Sequence, residues 1–227
     1  MAGKLEKTAE DPATLLSRES LRQARLMPWK AGNELRRLLL LPCARWALRG
    51  VQVGGGWRCY GLPIIQRHRQ SEIRIGWRMS LRSSARSNPL GPNHPVIIST
   101  RRVGARLTIG DDFGMTGGSL VCDERICIGD RVWVGANTVI ADTDFHPLDP
   151  QRRKAAPLDA KTAPIHIADD VFIGMNTLIL KGVTIGEGAV VGAGSIVRRD
   201  VPAGAIVAGN PAVVVGELPL QSRYTRS

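Results

Sequence analysis

The histidine at position 146 is the residue of this chain whose type and surroundings best suit proton transfer. It lies in the segment ADTDFHPLDP, two residues after Asp144 and four after Asp142. An imidazole exchanges protons near neutral pH, and a nearby carboxylate can orient the ring or stabilise its protonated form. His146 is therefore a candidate general base and the two aspartates are candidate orienting groups. A plain turn-forming role is the alternative for each aspartate, and an ordinary surface position is the alternative for His146.

Short strands must position this histidine, because an aliphatic residue recurs every six positions on both sides of it. The recurring residues are Ile128, Val134 and Ile140 before it, and Ile167, Ile173, Ile179, Ile185, Val191 and Val197 after it. A further series runs over Ile97, Val103, Ile109, Met115 and Val121. The fourth position of the repeat is Gly, Asn or Asp in nine of eleven cases, and these residue types tolerate a left-handed backbone. The pattern predicts that every sixth residue points inward and that a sharp bend follows each strand.

This spacing predicts a solenoid in which short parallel strands stack coil upon coil. Residues six positions apart do not lie on the same face of an α-helix, so an amphipathic helix does not explain the pattern. The strands of a β-sandwich would show apolar residues at every second position, and that alternation is missing. The period breaks from Ala141 to Pro164, so the loop 141–164 should protrude from the solenoid and carry His146. We predict a helical basic segment at 1–50, irregular strands and a loop at 51–96, the solenoid at 97–216 and a tail at 217–227.

Positive charge is concentrated in the first half of the chain. Residues 1–105 carry 19 Lys and Arg against 6 Asp and Glu, whereas residues 106–227 carry 12 against 14. Such an excess suggests an anionic partner, such as a membrane surface, a phosphorylated substrate or nucleic acid, and a solvated surface is the alternative. The helical residues 13–49 suit either contact with an anionic membrane surface or packing on the solenoid. We expect no nucleic acid partner, because no nucleic-acid-binding motif is recognised.

The cysteines and the N-terminus favour a cytoplasmic location. The four cysteines form no C-x-x-C pair, as in proteins with reduced thiols. The first residues, MAGKLEKTAEDP, lack the apolar stretch of a secretory signal. We therefore expect a cytoplasmic protein, either free or peripheral at the inner face of the membrane.

Four segments resemble the hexapeptide-repeat acyltransferases over about residues 97–216. They are IGDDFG, IGDRVWVGANTVIADTDFHPLDP, VFIGMNTLILKGVTIGEGAVVGAGSIVRRDVP and AGNPAVVVG. The resemblance is to the branch that contains the maltose, galactoside and nodulation-factor acetyltransferases and the polysaccharide O-acetyltransferases. It implies a mostly β fold, a left-handed parallel β-helix with an N-terminal α-helical segment, assembled as a homotrimer. It also implies acetyl-CoA as co-substrate and a sugar hydroxyl of a glycan or glycan precursor, lipid-linked or free, as acceptor.

The resemblance further implies roles for individual residues. His146 matches the family's general base, which takes the proton of the acceptor hydroxyl during direct acetyl transfer. The residues that match the family's coenzyme A-binding positions are Met175, Ala193, Arg198, Arg199 and Pro211. The family usually has Thr-Lys where this chain has the two arginines, whose guanidinium groups can pair with phosphates. The family's acceptor-contacting Asn aligns near Thr116, so Thr116, Ser119 and the loop residue His94 are the candidates for substrate binding.

Three alternatives differ from this prediction. N-acetylation of an amino sugar uses the same parts, and the sequence does not separate it from O-acetylation. A non-catalytic hexapeptide scaffold is a second alternative, because solenoids offer extended binding surfaces. A zinc-dependent carbonic anhydrase of the γ type would need converging histidines, and those at 68, 94, 146 and 166 include no close pair. We therefore expect no metal.

Overall fold

The computed structural model describes residue 22 and residues 25–218. The predicted helical stretch from residue 13 to 21 and the end of the tail lie outside the described residues. The described helices are α1 (Pro28–Leu39), α2 (Leu41–Ala47) and α3 (Pro150–Ala155), and a 3-10 turn spans Ala85–Ser87. A proline lies in the first turn of each α-helix, where its missing N–H group is not needed.

The described residues contain twenty strands, which form three sheets. Sheet A contains β1 (Gln52–Val53), β4 (Glu72–Ile75), β7 (Arg106–Ile109), β10 (Arg125–Ile128), β13 (Ile165–Ile167) and β16 (Thr184–Ile185). Sheet B contains β2 (Arg58–Tyr60), β5 (Ser80–Arg82), β8 (Gly114–Thr116), β11 (Trp133–Val134), β14 (Phe172–Ile173), β17 (Val190–Val191), β19 (Ala205–Gly209) and β20 (Ala212–Glu217). Sheet C contains β3 (Ile64–Arg67), β6 (Ile97–Thr100), β9 (Ser119–Cys122), β12 (Val139–Ala141), β15 (Leu178–Ile179) and β18 (Ile196–Val197).

The chain visits sheets A, B and C in turn, so that each coil adds one strand to each sheet. The strands of successive coils pair in parallel, and only the last pair, β19 with β20, is antiparallel among the described strands. The architecture is the predicted left-handed parallel β-helix with an N-terminal α-helical segment. Strand pairing begins at Gln52, where β1 pairs with β4, so residues 51–96 contribute strands to the same three sheets as residues 97–216.

The core is built from positions that repeat at every coil. From Ile128 to Val197, every residue of the two main six-residue series is buried. The earlier series is wrong at three positions: Val103 is 67% exposed at a corner, and Ile97 and Val121 face outward. Their neighbours Ile98, Leu120 and Cys122 are buried instead. The shift at Val121 arises at Gly117 and Gly118, because this two-glycine corner starts β9 at Ser119 and places Leu120 inward.

The corners adopt the left-handed backbone that the fourth position of the repeat predicts. Nine of the eleven predicted positions have φ between 55° and 80°, and Glu124 and Asp200 do not have a positive φ. Arg131 is an unexpected residue type for this conformation, at φ 58°. Its Nε lies 2.6 Å from Oδ1 of Asp170 on the next coil. This ion pair offsets the free-energy cost of a left-handed backbone at a residue with a Cβ atom.

A column of aspartates stabilises the corner between sheets A and B. Each side chain accepts a hydrogen bond from a backbone N–H of the preceding coil: Trp77 donates to Asp111 at 2.8 Å, Asp111 to Asp130 at 2.7 Å, and Asp130 to Asp169 at 2.9 Å. These bonds satisfy N–H groups that the bend removes from the strand ladders.

Helices α1 and α2 pack on the solenoid, which is one of the two expected roles of the basic segment. Arg37, Ala44 and Leu48 are buried, and the Tyr60 hydroxyl of β2 donates to Oε1 of Glu34 at 2.6 Å. Among the described residues, no helix is long and apolar enough to cross a membrane.

Replacing Gly118 by alanine should destabilise the protein more than replacing Gly188. Their φ values are +80° and +67°, and an added Cβ would lie 2.2 Å from the Thr138 carbonyl oxygen at Gly118 but would meet nothing within 4 Å at Gly188. We expect Gly188→Ala to lower the free energy of unfolding by about 1 kcal/mol and Gly118→Ala by at least about 3 kcal/mol. Denaturant unfolding at fixed protein concentration measures both, and equal losses would contradict this account of the corner.

Candidate functional site

The loop of residues 142–164 leaves the solenoid between β12 of sheet C and β13 of sheet A. It contains the short helix α3, whose first turn is capped by Asp149 through a 2.7 Å bond from the Arg152 N–H. Thr143 and Thr162 form a bridge near the base of the loop. The break in the six-residue pattern therefore corresponds to a structured excursion from one corner of the solenoid.

His146 is held at the exposed side of this loop by backbone groups. Its N–H donates to the carbonyl of Asp144 at 2.7 Å, across Phe145 at φ 64°. Its ring Nδ1 lies 2.8 Å from the carbonyl oxygen of Pro157. A carbonyl only accepts hydrogen bonds, so this contact assigns the proton to Nδ1 and leaves Nε2 with a free lone pair. The imidazole is therefore arranged to accept a proton at Nε2.

The two aspartates near His146 have other partners. The fully buried carboxylate of Asp142 accepts hydrogen bonds from the backbone N–H groups of Asp123, Glu124 and Arg125 at 2.7–2.8 Å. Burial raises the pKa of this carboxyl, although the three N–H groups oppose the shift. Asp144 forms an ion pair with Lys181 on the next coil. The expectation that these carboxylates orient the ring is corrected: in this structure the ring contact comes from Pro157, whereas the two aspartates tie the start of the loop to the preceding and the following coil.

A buried carboxylate on the preceding coil anchors the loop. The Asp123 side chain is fully buried, and its two oxygens lie 3.2 Å from Nε of Arg101 and of Arg102. The angles of both contacts fall outside hydrogen-bond geometry, so the attraction is electrostatic. Arg102 donates to the carbonyls of Leu158 and Ala160, and the Arg101 guanidinium lies 5.0 Å from the centre of the Phe145 ring. The residues on both sides of His146 are thus tied to one buried charge.

A second group of predicted residues lies at the corner between sheets B and C. Thr116, Ala136, Met175 and Ala193 form a column there, because each carbonyl of the first three accepts the N–H of a residue one coil later. These acceptor distances are 3.1 Å at Thr116, 2.8 Å at Ala136 and 2.8 Å at Met175. The predicted coenzyme positions Met175 and Ala193 are therefore adjacent, in line with Thr116.

The loop of residues 83–96 covers the upper end of this column. The Asn88 amide donates to the Thr116 hydroxyl at 3.3 Å, and the Asn93 N–H donates to Asn137 at 2.9 Å. His94 belongs to the same loop, with its ring Nδ1 2.7 Å from the Pro95 carbonyl. The structure thus brings Thr116 and His94 to one corner. Ser119 lies on the outer face of β9, paired with Ile97 and Val139.

The remaining predicted coenzyme residues lie near the end of the solenoid. Arg198 and Arg199 follow β18 and are exposed, and Pro211 is exposed in the turn between β19 and β20. The arginines lie at the corner between sheets C and A, on the side of the His146 loop. Within residues 25–218, no three His, Cys, Asp or Glu side chains are grouped so that they could hold a metal ion.

Sequence reasoning missed Pro157, Asp123, Arg101 and Arg102. Pro157 acts through its carbonyl, which every residue type has, so no sequence signal marks it. The arginine pair at 101–102 precedes Val103, which fits the six-residue series, so the sequence gives no signal for this pair either.

The comparisons with known proteins agree with this architecture. The family described as bacterial transferase hexapeptide (six repeats) matches residues 164–199. A hexapeptide-repeat-containing acetyltransferase from Vibrio cholerae, solved in complex with acetyl coenzyme A, is 36% identical, with a TM-score of 0.50 over 55% of this chain and 66% of its own. Residues 164–199 of this chain thus carry the bacterial transferase hexapeptide repeat.

Two further comparisons support less, because one covers a small part of each chain and the other has low sequence identity. A 2,3,4,5-tetrahydropyridine-2,6-dicarboxylate N-acetyltransferase from Staphylococcus aureus is 46% identical over 87 residues, which are 38% of this chain and 31% of that protein. The chain thus aligns with about a third of the length of the curated relatives it matches. An N-acyltransferase from Bacillus cereus, in complex with dTDP and coenzyme A, is 19% identical with a TM-score of 0.56, over 74% of this chain and 84% of its own, and shows the fold alone.

Asp123→Asn should loosen the loop of this hexapeptide-repeat protein. The change removes the buried charge that holds Arg101 and Arg102, so we expect amide exchange at residues 143–160 to become about tenfold faster. Hydrogen exchange measured by mass spectrometry on the full chain tests this.

The matched control is Asp159→Asn, which removes an exposed ion pair with Arg152 in the same loop. We expect less than about a twofold change there, because exposed pairs contribute little. The same acceleration in both variants would contradict the anchoring role of Asp123.

Proposed function

We propose that this protein is an acetyl-CoA-dependent O-acetyltransferase that acts on a sugar hydroxyl of a glycan or glycan precursor, with His146 as the general base. The observation that carries the proposal is the imidazole whose Nδ1 faces the Pro157 carbonyl and whose Nε2 is left to accept a proton. The similar Vibrio cholerae acetyltransferase, solved with acetyl coenzyme A, supports the donor.

The transfer proceeds in one addition and one elimination. Nε2 of His146 takes the acceptor hydroxyl proton as that oxygen attacks the thioester carbonyl carbon. The carbon–sulfur bond then breaks, the acetyl group stays on the sugar oxygen, and the coenzyme A sulfur receives the proton from the imidazolium. The Pro157 carbonyl holds the ring in one orientation through both proton transfers, because Nδ1 remains its donor throughout.

Acetyl-CoA is proposed to lie along the corner formed by Met175 and Ala193. The two residues stack one coil apart, with the Gly194 N–H bonded to the Met175 carbonyl at 2.8 Å. Arg198 and Arg199 lie at the other end of sheet C, beside the His146 loop, so their exposed guanidinium groups suit the phosphates of a coenzyme held at the Met175 corner of a neighbouring copy. Pro211 suits a contact with the distal end of the coenzyme.

The two groups of site residues require a second copy of the chain. Met175 begins the passage along sheet C that ends at Lys181, the partner of Asp144. Six extended residues span roughly 20 Å, so His146 and Met175 of one chain lie at opposite ends of sheet C. A neighbouring copy that brings its loop to this chain's Met175 corner would complete the site. The proposed homotrimer supplies such neighbours, since head-to-tail contacts close a ring.

The outer faces of the sheets support this assembly. On sheet C the outward column is mostly apolar: Ile64, Ile97, Ser119, Val139, Leu178 and Ile196. On sheet B, Trp133 and Phe172 are paired and at least half exposed. Sheet A instead presents Arg74, Thr108, Cys127, His166 and Thr184. Exposed apolar faces of this kind mark protein interfaces, so sheet C and the part of sheet B around Phe172 are proposed to meet neighbouring copies.

N-acetylation of an amino sugar is the second candidate. It is favoured by the Staphylococcus aureus relative, which is an N-acetyltransferase. A neutral amine attacks the thioester as a hydroxyl does, and His146 would take its proton in the same way. Product analysis with glucose and glucosamine as acceptors separates the two reactions.

His146→Ala should lower the rate of acetyl transfer by about 10²- to 10⁴-fold, the usual contribution of a general base. Release of the coenzyme A thiol, measured with acetyl-CoA and a panel of sugars, gives this rate. His166→Ala is the matched control, because His166 is exposed on sheet A. We expect the control to retain its activity and both variants to retain their circular dichroism. Full activity of His146→Ala would refute the catalytic assignment.

Mixing two inactive variants should restore activity if the site is shared between copies. Ala193→Trp fills the coenzyme corner, and His146→Ala removes the base, so each homotrimer should be inactive. In trimers assembled at random from equal amounts of the two variants, half of the loops and half of the corners are intact. About a quarter of the sites therefore combine an intact loop with an intact corner of the neighbouring chain. We expect co-expressed chains to recover about that fraction of wild-type activity. Mixed trimers without activity would show that each site belongs to one chain.

A further inference from the structure

A cavity of about 710 Å³ lies between α1, the outer face of sheet B and the loop of residues 83–96. Its walls carry four cationic side chains, from Lys30, Arg58, Arg82 and Arg86. Its aromatic rings come from Trp29, Tyr60 and Trp133. The volume is in the range of pockets that hold small ligands. The cavity is therefore both large enough for a sugar and strongly basic.

The acidic residue in the cavity wall does not neutralise these cations. Glu34 accepts hydrogen bonds from the Tyr60 hydroxyl at 2.6 Å and from Nε of the buried Arg37 at 2.7 Å. Burial opposes the ionisation of Glu34, but the hydrogen bonds from Tyr60 and Arg37 and the nearby positive charges of Arg37 and Arg58 outweigh it and lower its pKa. One carboxylate, shared between the buried Arg37 and Arg58, leaves an excess of positive charge on the cavity arginines.

Two arginines of the cavity wall, Arg58 and Arg86, can receive an anion, whereas the third, Arg82, is already bound. Arg82 is fixed, because its Nη1 donates to the Ser87 carbonyl at 2.6 Å and its guanidinium lies 4.6 Å from the centre of the Tyr60 ring. Within the part of the chain that the structure describes, the side chains of Arg58 and Arg86 form no hydrogen bond or ion pair. Guanidinium groups left in this way bind phosphate or carboxylate oxygens in pairs.

The cavity adjoins the corner where acetyl transfer is proposed to occur. Asn88 lines the cavity, and its amide donates to the Thr116 hydroxyl at 3.3 Å. Thr116 heads the column that continues through Ala136 to Met175. A molecule in the cavity would therefore present its near end to the proposed acetyl donor.

We propose that this cavity binds the acceptor, and that the acceptor is a sugar carrying an oxyanion, either a phosphate or a carboxylate. The oxyanion pairs with Arg58 and Arg86, and the sugar ring packs on Trp29 and Trp133, whose flat apolar faces suit it. This inference rests on the proposed function for the transfer step, whereas binding of the anionic sugar does not depend on it. It also gives a role to the positive charge of residues 1–105.

Calorimetric titration of the full chain with four probes tests the proposal: glucose 6-phosphate, glucuronate, glucose and inorganic phosphate. We expect at least one charged sugar to bind at least about tenfold more tightly than glucose and than inorganic phosphate. The tighter of the two charged sugars identifies the oxyanion. The double substitution Arg58→Gln with Arg86→Gln should weaken that binding at least about tenfold.

The matched control is the double substitution Arg106→Gln with Arg125→Gln, which removes the same charge from exposed positions on β7 and β10. It should change the affinity less than about twofold. Equal affinities for glucose and both charged sugars would overturn the proposal, and so would equal losses in the control and in the double variant of the cavity. Inorganic phosphate binding as tightly as glucose 6-phosphate would overturn the sugar part.

Acetyl transfer separates this proposal from the function on which it rests. The His146→Ala variant should bind the charged sugar with wild-type affinity while losing transfer. If the wild-type protein binds the charged sugar but transfers no acetyl group, the proposed function is refuted and the anion site is retained. Equal transfer to neutral and charged sugars would retain the proposed function and overturn the cavity's role.

Discussion

Parallel pairing between successive coils is the interaction on which the rest of this structure depends. Strands such as β14 contain two residues and make few hydrogen bonds of their own, so neighbours on both sides must hold them. In-register stacking then places Val134, Ile173 and Val191 in one buried column. A slip of one residue would turn that column towards water. This constraint fixes the corners, where left-handed residues and aspartate side chains replace the bonds that the bend removes.

The two excursions obtain their order from this rigid frame. The loop that carries His146 begins at Asp142, whose carboxylate closes the corner of the preceding coil. It is then held by Arg101 and Arg102, which are themselves held by Asp123. A buried charge is stable only when it is paired. Asp123 therefore needs Arg101 and Arg102, and the loop that carries His146 needs the same two arginines to hold its position. The opposite corner is covered in a comparable way, by the bonds from residues 83–96 to Thr116 and Asn137.

The sequence predicts the repeat well where its period is strict, from Ile128 onward, because buried position and backbone bend coincide there. It predicts the first coils poorly, since Ile73, Ile75 and Leu81 are separated by irregular corners and give no clear period. At the site, the type and place of His146 are readable, but its orienting partner is a backbone carbonyl and carries no residue signature. Asp142 was interpreted as a catalytic neighbour because proximity in sequence does not reveal that its carboxylate faces the previous coil. The cavity beneath α1 joins residues distant in sequence, so only the excess of charge pointed to it.

The strict stacking also determines where this molecule can change during evolution. One extra residue within a strand would disturb every coil beyond it, whereas an insertion at a corner leaves the ladders on both sides paired. Both long excursions, at residues 83–96 and 142–164, begin and end at corners of sheet C. New specificity can therefore be acquired by lengthening or exchanging these two loops while the coils stay the same. The molecule thus separates a fixed frame, which holds the proposed coenzyme corner, from two adjustable loops, and selection can act on the loop of the base and on acceptor recognition independently.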